Sequence, residues 1–205
     1  MQGAFRSNVF VNVPFDSAYA PLFQAIIFAV SDCGYLVRCT RETQDAGQTR
    51  IEKLYRIVEE CQLGIHDISR TQLDSSNRLP RFNMPFELGL FLGAKSFGGG
   101  RQKKKICLIL DKVPYRYQKF ISDIAGQDLH AHYNKTETVI SVVRDWIRDN
   151  SASTQIPSGV IIAKRYSKFQ RDLPGLCKRM NLTKSTLTFN DYRQLIARWQ
   201  KVNPW

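Results

Sequence analysis

The chain is organised around residues 80–93, which read Pro-Arg-Phe-Asn-Met-Pro-Phe-Glu-Leu-Gly-Leu-Phe-Leu-Gly. Asn83 is a favourable N-cap residue and Pro85 is tolerated in a first helical turn, so the pattern predicts a helix that begins here. Residues 62–66 before it and residues 106–110 after it are short apolar runs of the kind that form buried strands. A strand, an apolar helix and a second strand together predict one unit of a parallel sheet.

The same alternation extends in both directions from this unit. Short β-branched or apolar runs predict three further strands, at residues 8–13, 35–39 and 128–131. Helical spacing of apolar residues predicts further helices at residues 19–31, from Arg50 onward, at 115–124 and at 139–147. We therefore expect an α/β fold, in which a parallel sheet is flanked by helices on both faces.

Length and composition suit one domain of this class with a short appendage, since the chain has 205 residues of which 43% are apolar. Its five cysteines are scattered without a CxxC pair, which indicates neither a zinc site nor a disulfide framework. We expect buried, reduced thiols. Because neither a signal-peptide pattern nor a membrane-spanning apolar stretch is visible, we expect a cytoplasmic protein.

The positive charge is concentrated near the C-terminal end. Residues 151–205 carry +8 of the total net charge of +12. We expect an α/β domain over residues 1–148, a Ser-, Thr- and Asn-rich linker over 149–159 and a basic helical module over 160–205, with a helix at about residues 191–200. Such a module is compatible with an acidic or nucleic-acid partner, an anionic membrane, or simply a solvated basic face.

Glu87 is the one charged side chain in the apolar run of residues 84–92. A capping carboxylate would stand three residues after the cap, which is the position of Phe86, so capping does not explain Glu87. The helix N-terminus favours its negative charge, whereas apolar neighbours would raise its pKa. We therefore take Glu87 as the centre of a candidate site. The alternative is an acid that only complements the helix dipole.

Other polar side chains are predicted to gather near Glu87. Asp16, Asp67 and Asp111 each come just after a predicted strand, and Asn83 lies on the segment that follows the third strand. In open parallel sheets, ligands bind beyond the carboxyl ends of the strands. These independent segments therefore predict one acidic crevice at that edge.

The common catalytic motifs GxSxG, GxxxxGK[ST] and HExxH are absent. His66 lies within a predicted strand, and the pair of His130 and His132 is weak evidence for a metal, so we expect no metal ligand. A carboxylate with Asp and Asn neighbours suits attack on an N-glycosidic bond, because it stabilises the oxocarbenium-like transition state. Arg50 is a candidate phosphate contact, since guanidinium matches phosphate geometry.

Residues 67–89 carry a resemblance to a known family. Asp67-Ile-Ser69, a spacer and Asn83-Met-Pro-Phe-Glu87-Leu-Gly89 resemble the signature of the nucleoside 2-deoxyribosyltransferase-like proteins. That family has a flavodoxin-like fold and is similar to the Toll/interleukin-1 receptor (TIR) domains, whose enzymatic members cleave NAD with a similarly placed helix Glu. The resemblance implies that Glu87 is the nucleophile or oxocarbenium stabiliser. It further implies that Asp67 and Asn83 orient Glu87 or bind the sugar.

The resemblance extends loosely over residues 8–147. It implies that the loop of residues 11–16 contacts the nucleobase, which adds Phe15 and Asp16 to the expected substrate contacts. Ser69 and Asp111 complete that set. No cofactor is expected, since NAD would be the substrate. The long insertion between Asp67 and Asn83 and the basic C-terminal segment depart from the family pattern.

Three functions remain open at this stage. The first is hydrolysis of NAD or a related nucleotide, which the resemblance connects with bacterial anti-phage defence and with assembly into homo-oligomers. A nicotinamide leaving group already carries positive charge and needs no general acid. The second is nucleoside 2-deoxyribosyl transfer, in which a neutral purine needs an acid such as Asp67. The third is a non-catalytic nucleotide-sensing or scaffold module with a basic partner-binding tail.

Overall fold

A five-stranded parallel sheet forms the centre of the computed structural model, which describes residues 2–71, 73, 78, 79, 81–153 and 155–205, with Gln2 and Gly3 described by their backbone alone. The strand order is β2-β1-β3-β4-β5, and every neighbouring pair is parallel. The strands are β1 (Asn8–Asn12), β2 (Leu36–Arg38), β3 (Leu63–Asp67), β4 (Ile106–Asp111) and β5 (Leu129–Ala131). The α/β, flavodoxin-like arrangement expected from the sequence is therefore confirmed.

Helices cover both faces of the sheet. They are α1 (Gln2–Ser7), α2 (Ala20–Asp32), α3 (Arg50–Glu60), α4 (Asn83–Phe97), α5 (Thr136–Asp149), α6 (Gly159–Arg179) and α7 (Phe189–Val202). Helices α3 and α4 pack on one face, and α2 and α5 pack together on the other. Side chains alternate accordingly along β1, where Val9 and Val11 face α2 and Phe10 faces α3 and α4.

Helix α2 is enclosed by protein on nearly all sides, because α6 and α7 form an extra layer outside it. Phe28 of α2 contacts the rings of Tyr166, Phe169 and Trp199, with centroid distances of 5.3–5.7 Å. The basic C-terminal segment therefore contributes apolar side chains to the same core as the sheet. This explains why α2 lacks a polar stripe, since a helix that is buried all round is apolar all round.

The predicted start of α4 was wrong in one respect. Phe82 is the N-cap and makes no side-chain capping hydrogen bond, whereas Asn83 is the first helical residue and is exposed. Glu87 consequently lies in the second turn of the helix, beyond the reach of the terminal N–H groups. Capping does not fix this end. Instead, Asn12 at the end of β1 donates from Nδ2 to the carbonyl of Met84 over 2.9 Å.

Three other elements differ from the sequence expectation. Residues 115–124 form two short 3₁₀ turns rather than one helix, after Tyr115 in a left-handed conformation. Helix α1 has no counterpart among the predicted elements. The segment after residue 159 forms two helices, whereas the sequence pattern gave bounds for only one. Helix α6 continues through Pro174 because its apolar face is buried against α2 and α5.

The described residues of 150–158 carry no helix or strand, and Thr154 of the predicted linker lies outside the described residues. The division into a domain, a linker and a module stays a prediction. All five cysteines are free thiols; Cys107 is partly buried and the other four are buried. No helix in the described part of the chain is long and apolar enough to cross a membrane.

Candidate functional site

The switch point of the sheet, where the chain reverses its direction across the sheet, lies between β1 and β3, and open parallel sheets commonly bind ligands at this point. The loops after both strands meet at this edge. Asp67 and Asp111 are the last residues of β3 and β4, and Asp16 follows β1 by four residues. The prediction that these acids share one edge is therefore confirmed. Residues 72, 74–77 and 80, in the loop between β3 and α4, lie outside the described residues.

Glu87 faces inward from α4, on the side that carries Met84, Leu88 and Phe91. Its side chain is only 7% exposed, and burial raises the pKa of its carboxyl group against the opposing effect of Arg50. Arg50 lies beside it, with Nη2 3.5 Å from Oε1, and is itself 61% exposed. A buried carboxylate thus lies next to a cation that solvent and ligands can reach.

A local capping box and a close approach between a helix and a strand position these two side chains. Arg50 is the first residue of α3, whose start is held by a capping box between Thr49 and Glu52. Helix α4 approaches β3 closely because Gly64 has no side chain, and a Cβ there would lie 2.7 Å from the ring of Phe91. Phe91 is one helical turn beyond Glu87, so this close packing also sets the depth of the carboxylate.

His66 is a structural residue, as its place in a strand predicted. Its Nδ1 lies 3.1 Å from Nδ2 of Asn12, so the ring accepts a hydrogen bond at that nitrogen. Burial lowers the pKa of His66 to about 3, so the ring is neutral. It packs against Phe10 and Phe91 beneath α4. Asn12 therefore connects β1, β3 and the first turn of α4, which makes it a support for Glu87 that sequence reasoning missed.

Asp67 is fully buried and engaged on both oxygens. The Tyr19 hydroxyl donates to Oδ2 over 2.5 Å, and the backbone N–H of Ser69 donates to Oδ1 over 2.8 Å. Nε2 of His132 lies 3.1 Å from Oδ2, close but not aligned as a hydrogen bond. Nδ1 of that ring accepts from the backbone N–H of Asn134, which leaves Nε2 as the nitrogen that carries a proton and faces Asp67. The Asp67 carboxylate thereby joins the segments that follow β1, β3 and β5.

Asp111 is held by Arg116, whose Nε and Nη2 donate to its Oδ1 over 2.8 and 2.6 Å. The same guanidinium donates to Thr71 Oγ1 and to the carbonyl of Ile68, so it joins the loops after β3 and β4. Burial raises the pKa of Asp111, and the hydrogen bonds from Arg116 oppose that shift. Its Oδ2 is buried without a partner among the residues described.

Asp16 lies on the outer, partly exposed side of this edge. Its carboxylate accepts from Arg81 over 3.0 Å, lies 3.8 Å from Arg70 and caps the backbone N–H of Tyr19. The ring of the preceding Phe15 lies under the guanidinium of Arg41, which is 4.5 Å from the ring centroid. An aromatic ring and several arginines therefore border this side of the edge.

The predicted site residues thus share the edge but do not form one contact network. Among the described contacts, none joins Asp67 or Asn83 to Glu87, whose described polar partner is Arg50. Ser69 is buried and contributes its backbone N–H, whereas Asn83 is exposed. Within the described part of the chain, no group of three His, Cys, Asp or Glu side chains is arranged to hold a metal.

The edge also differs in charge from the acidic crevice that the sequence suggested, because three of the acids have an arginine beside them. The pairs are Glu87 with Arg50, Asp16 with Arg81 and Asp111 with Arg116, whereas Asp67 faces the Tyr19 hydroxyl and the ring of His132. His132 follows β5 directly, so the reasoning applied to the strand-end acids could have found it. Arg81 and Arg116 have no comparable pattern, since Arg81 lies in the loop before α4 and Arg116 begins a short 3₁₀ turn after β4.

Comparisons of the chain with protein-family models, with curated proteins and with solved structures gave no match. The function proposed below therefore rests on the geometry at Glu87 and on the resemblance carried by residues 67–89.

Proposed function

We propose that this protein is a nucleotide N-glycosidase that cleaves a base–ribose bond, with NAD as its leading substrate. The observation that supports the proposal is Glu87, a carboxylate 7% exposed, whose pKa is raised by burial and which lies 3.5 Å from an accessible guanidinium. A negative charge held in an apolar setting interacts strongly with a developing oxocarbenium ion, because little water screens it. The motif resemblance to the nucleoside 2-deoxyribosyltransferase-like and TIR-like proteins points to the same residue.

Two side chains, Glu87 and Arg50, have separate roles in the proposed reaction. Glu87 stabilises the positive charge that develops at C1′ as the bond to the base breaks, or it captures C1′ covalently before water completes hydrolysis. Arg50 contacts a substrate phosphate through the part of its guanidinium that faces solvent. In the free protein Arg50 is paired with Glu87. Binding of a substrate phosphate to Arg50 would separate the two side chains and leave the Glu87 carboxylate free to act.

The surroundings of Asp67 favour a substrate whose base carries a positive charge before the bond breaks over a substrate with a neutral base. A neutral purine needs a general acid, and Asp67 is the acid that the family resemblance offers. Its carboxylate is 0% exposed, and both oxygens already accept hydrogen bonds from Tyr19 and from the N–H of Ser69. These contacts favour a structural role for Asp67. Nicotinamide leaves NAD as a neutral molecule without protonation, so NAD hydrolysis is preferred to nucleoside transfer.

The test follows base release by chromatography from NAD, NADP and common nucleosides and nucleotides, using wild type and Glu87→Gln. Glutamine preserves the shape and removes the charge, and we expect a loss of about 100- to 1000-fold in turnover, the range for one electrostatic stabiliser. Glu59→Gln is the matched control. Glu59 also lies 3.5 Å from an arginine, Arg101, but on the exposed surface, and its substitution should leave the rate unchanged.

The outcomes separate the candidates. Release by wild type and Glu59→Gln but not by Glu87→Gln supports the glycosidase and identifies the substrate. Equal release by all three proteins rejects Glu87 as the catalytic residue. Absence of release at high protein concentration, together with calorimetric binding of a nucleotide, supports the sensing module instead. Arg50, Arg70 and Arg81 favour that second candidate, because guanidinium groups at this edge can bind phosphates without any chemistry.

The remaining features of the proposal come from the resemblance and from composition. We propose a cytoplasmic protein, in keeping with five free thiols. We also propose a role in bacterial anti-phage defence, homo-oligomeric assembly, and an acidic or nucleic-acid partner for residues 160–205. Light scattering of the purified chain with and without NAD tests the assembly, which should appear as a change in mass.

A further inference from the structure

Helix α6 presents a row of basic side chains to solvent. Lys164, Lys168, Arg171, Lys178 and Arg179 are all exposed; steps of four, three and seven residues place the first four along one face of the helix, and Arg179, eight residues after Arg171, lies on the same face. We call these five residues the α6 basic stripe. At 1.5 Å of rise per residue, the stripe extends over roughly 22 Å. The opposite face of α6 is buried in the core.

Nearby acids do not neutralise this stripe. Helices α6 and α7 contain only Asp172 and Asp191 as acidic residues. Asp172 accepts from the indole N–H of Trp199, and Asp191 closes the capping box at the start of α7. Lys168 donates to Asn203, a neutral group. No ion pair is found for any member of the stripe among the residues that the structure describes, so its charge is available to a partner.

A groove of about 580 Å³ runs between α5 and α6 along the first half of the stripe. Lys164 and Arg171 border it together with the hydroxyl groups of Ser141 and Ser167, and Glu137 is the one acid on its wall. The two cations and the Ser141 hydroxyl form a set of donors suited to phosphate oxygens, whereas the Ser167 hydroxyl donates to the carbonyl of Ala163. Uncompensated charge and a donor-lined groove thus coincide on the same surface.

We propose that the α6 basic stripe binds the phosphate backbone of a nucleic-acid duplex, without reading its sequence. A row of five cations with no ion pair among the described contacts complements the regular line of phosphates on a duplex. Recognition of single strands relies on aromatic side chains that stack on bases, and every aromatic side chain of α6 and α7 is buried. The exposed large apolar residues of the two helices, Val160, Ile161 and Val202, lie at the helix ends, and the exposed Trp205 lies beyond α7 against Arg165. An amphipathic helix that binds a membrane inserts its apolar face, and that face of α6 is buried. Both observations favour the duplex.

Fluorescence anisotropy of a labelled random-sequence DNA duplex of about 20 base pairs, titrated with the full chain at several salt concentrations, tests the proposal. The triple variant Lys164→Gln, Arg171→Gln and Lys178→Gln removes three charges from the stripe. Lys103→Gln, Lys104→Gln and Lys119→Gln form the matched control, since they remove the same charge from exposed positions elsewhere. Circular dichroism verifies that both variants melt as wild type does, as expected for exposed positions.

We expect log K to fall with log salt concentration at a slope of up to about −4.5 for wild type, since each phosphate contact contributes about −0.9. The stripe variant should retain a slope of about −2 and the control variant the wild-type slope. Equal binding by the two variants would show a response to net charge alone and would overturn the proposal. Tighter binding of the wild type to a single strand of equal length, to anionic lipid vesicles or to polyglutamate than to the duplex would also overturn the proposal. Glu87→Gln should bind the duplex as wild type does, so this proposal stands apart from the glycosidase.

Discussion

Arg116 is the side chain whose removal should affect the candidate site most strongly without touching Glu87. It makes four hydrogen bonds, two to Asp111, one to Thr71 and one to the carbonyl of Ile68. The Asp111 side chain is only 2% exposed and Arg116 is 19% exposed. Arg116→Met retains the aliphatic stem but leaves a buried carboxylate without its cation.

The expected loss of stability is about 3–5 kcal/mol, the range for breaking a buried ion pair by removing one partner. For a chain of this length each kcal/mol lowers Tm by about 2–4 °C, so the melting temperature should fall by roughly 6–20 °C. Arg101→Met is the matched control. Arg101 and Glu59 are 41% and 68% exposed, and their ion pair should contribute about 1 kcal/mol or less.

Thermal melts followed by circular dichroism measure both variants, and the pH dependence adds a second criterion. Burial already raises the pKa of Asp111, and loss of Arg116 raises it further. A carboxyl group with a raised folded-state pKa contributes stability at low pH that is lost as the pH rises through that pKa. The deficit of Arg116→Met should therefore grow with pH, and adding Asp111→Asn should recover most of it. Equal losses in Arg116→Met and Arg101→Met, or a deficit that shrinks with rising pH, would refute the reasoning.

Two further predictions concern stability elsewhere in the chain. Burial raises the pKa of Glu87, so ionisation of its carboxyl group lowers the stability of the protein as the pH rises. The Glu87→Gln variant should therefore have a higher Tm than wild type at neutral pH. This difference in Tm should disappear as the pH is lowered toward 4.5, the ordinary pKa of Glu. A wild type that melts higher at neutral pH would contradict this. Phe169 is fully buried between Phe28, Tyr192 and Trp199, so Phe169→Ala should cost about 3–5 kcal/mol in urea unfolding. Phe97→Ala, at a position 92% exposed, is its control and should change little.

Several parts of the site could be predicted because they depend on local pattern and chain order. Strands that alternate with helices imply a parallel sheet, and a parallel sheet brings the ends of its strands to one edge. Asp67 and Asp111 lie at that edge for this reason. Glu87 was identified as a charge inside an apolar run; it is buried and its pKa is raised, as apolar neighbours predict, while its role in a site stays a prediction.

The partners of these acids could not be predicted, since each comes from a distant segment. Tyr19 reaches Asp67 from 48 residues away, and Asn12 supports α4 from 72 residues away. The start of α4 was misjudged for the same reason, because Asn12 and packing against β3, rather than a cap, hold that end. The residue pattern also does not predict the full length of α6, because Pro174 usually indicates the end of a helix. The helix continues past Pro174 because buried side chains on both sides of it pack in the core.

The fold class and the edge at which the strand-end acids gather follow from the sequence, because they depend on the periods of helices and strands and on the order of elements along the chain. The sequence also marks Glu87 as a candidate, because it is a charge within an apolar run. Tertiary structure alone decided which cation faces which acid, which acids are buried, and that the basic C-terminal helices cover α2 while one row of charge remains in solvent. The physical reason is that burial and ion pairing depend on distances between segments remote in sequence, which no local pattern encodes.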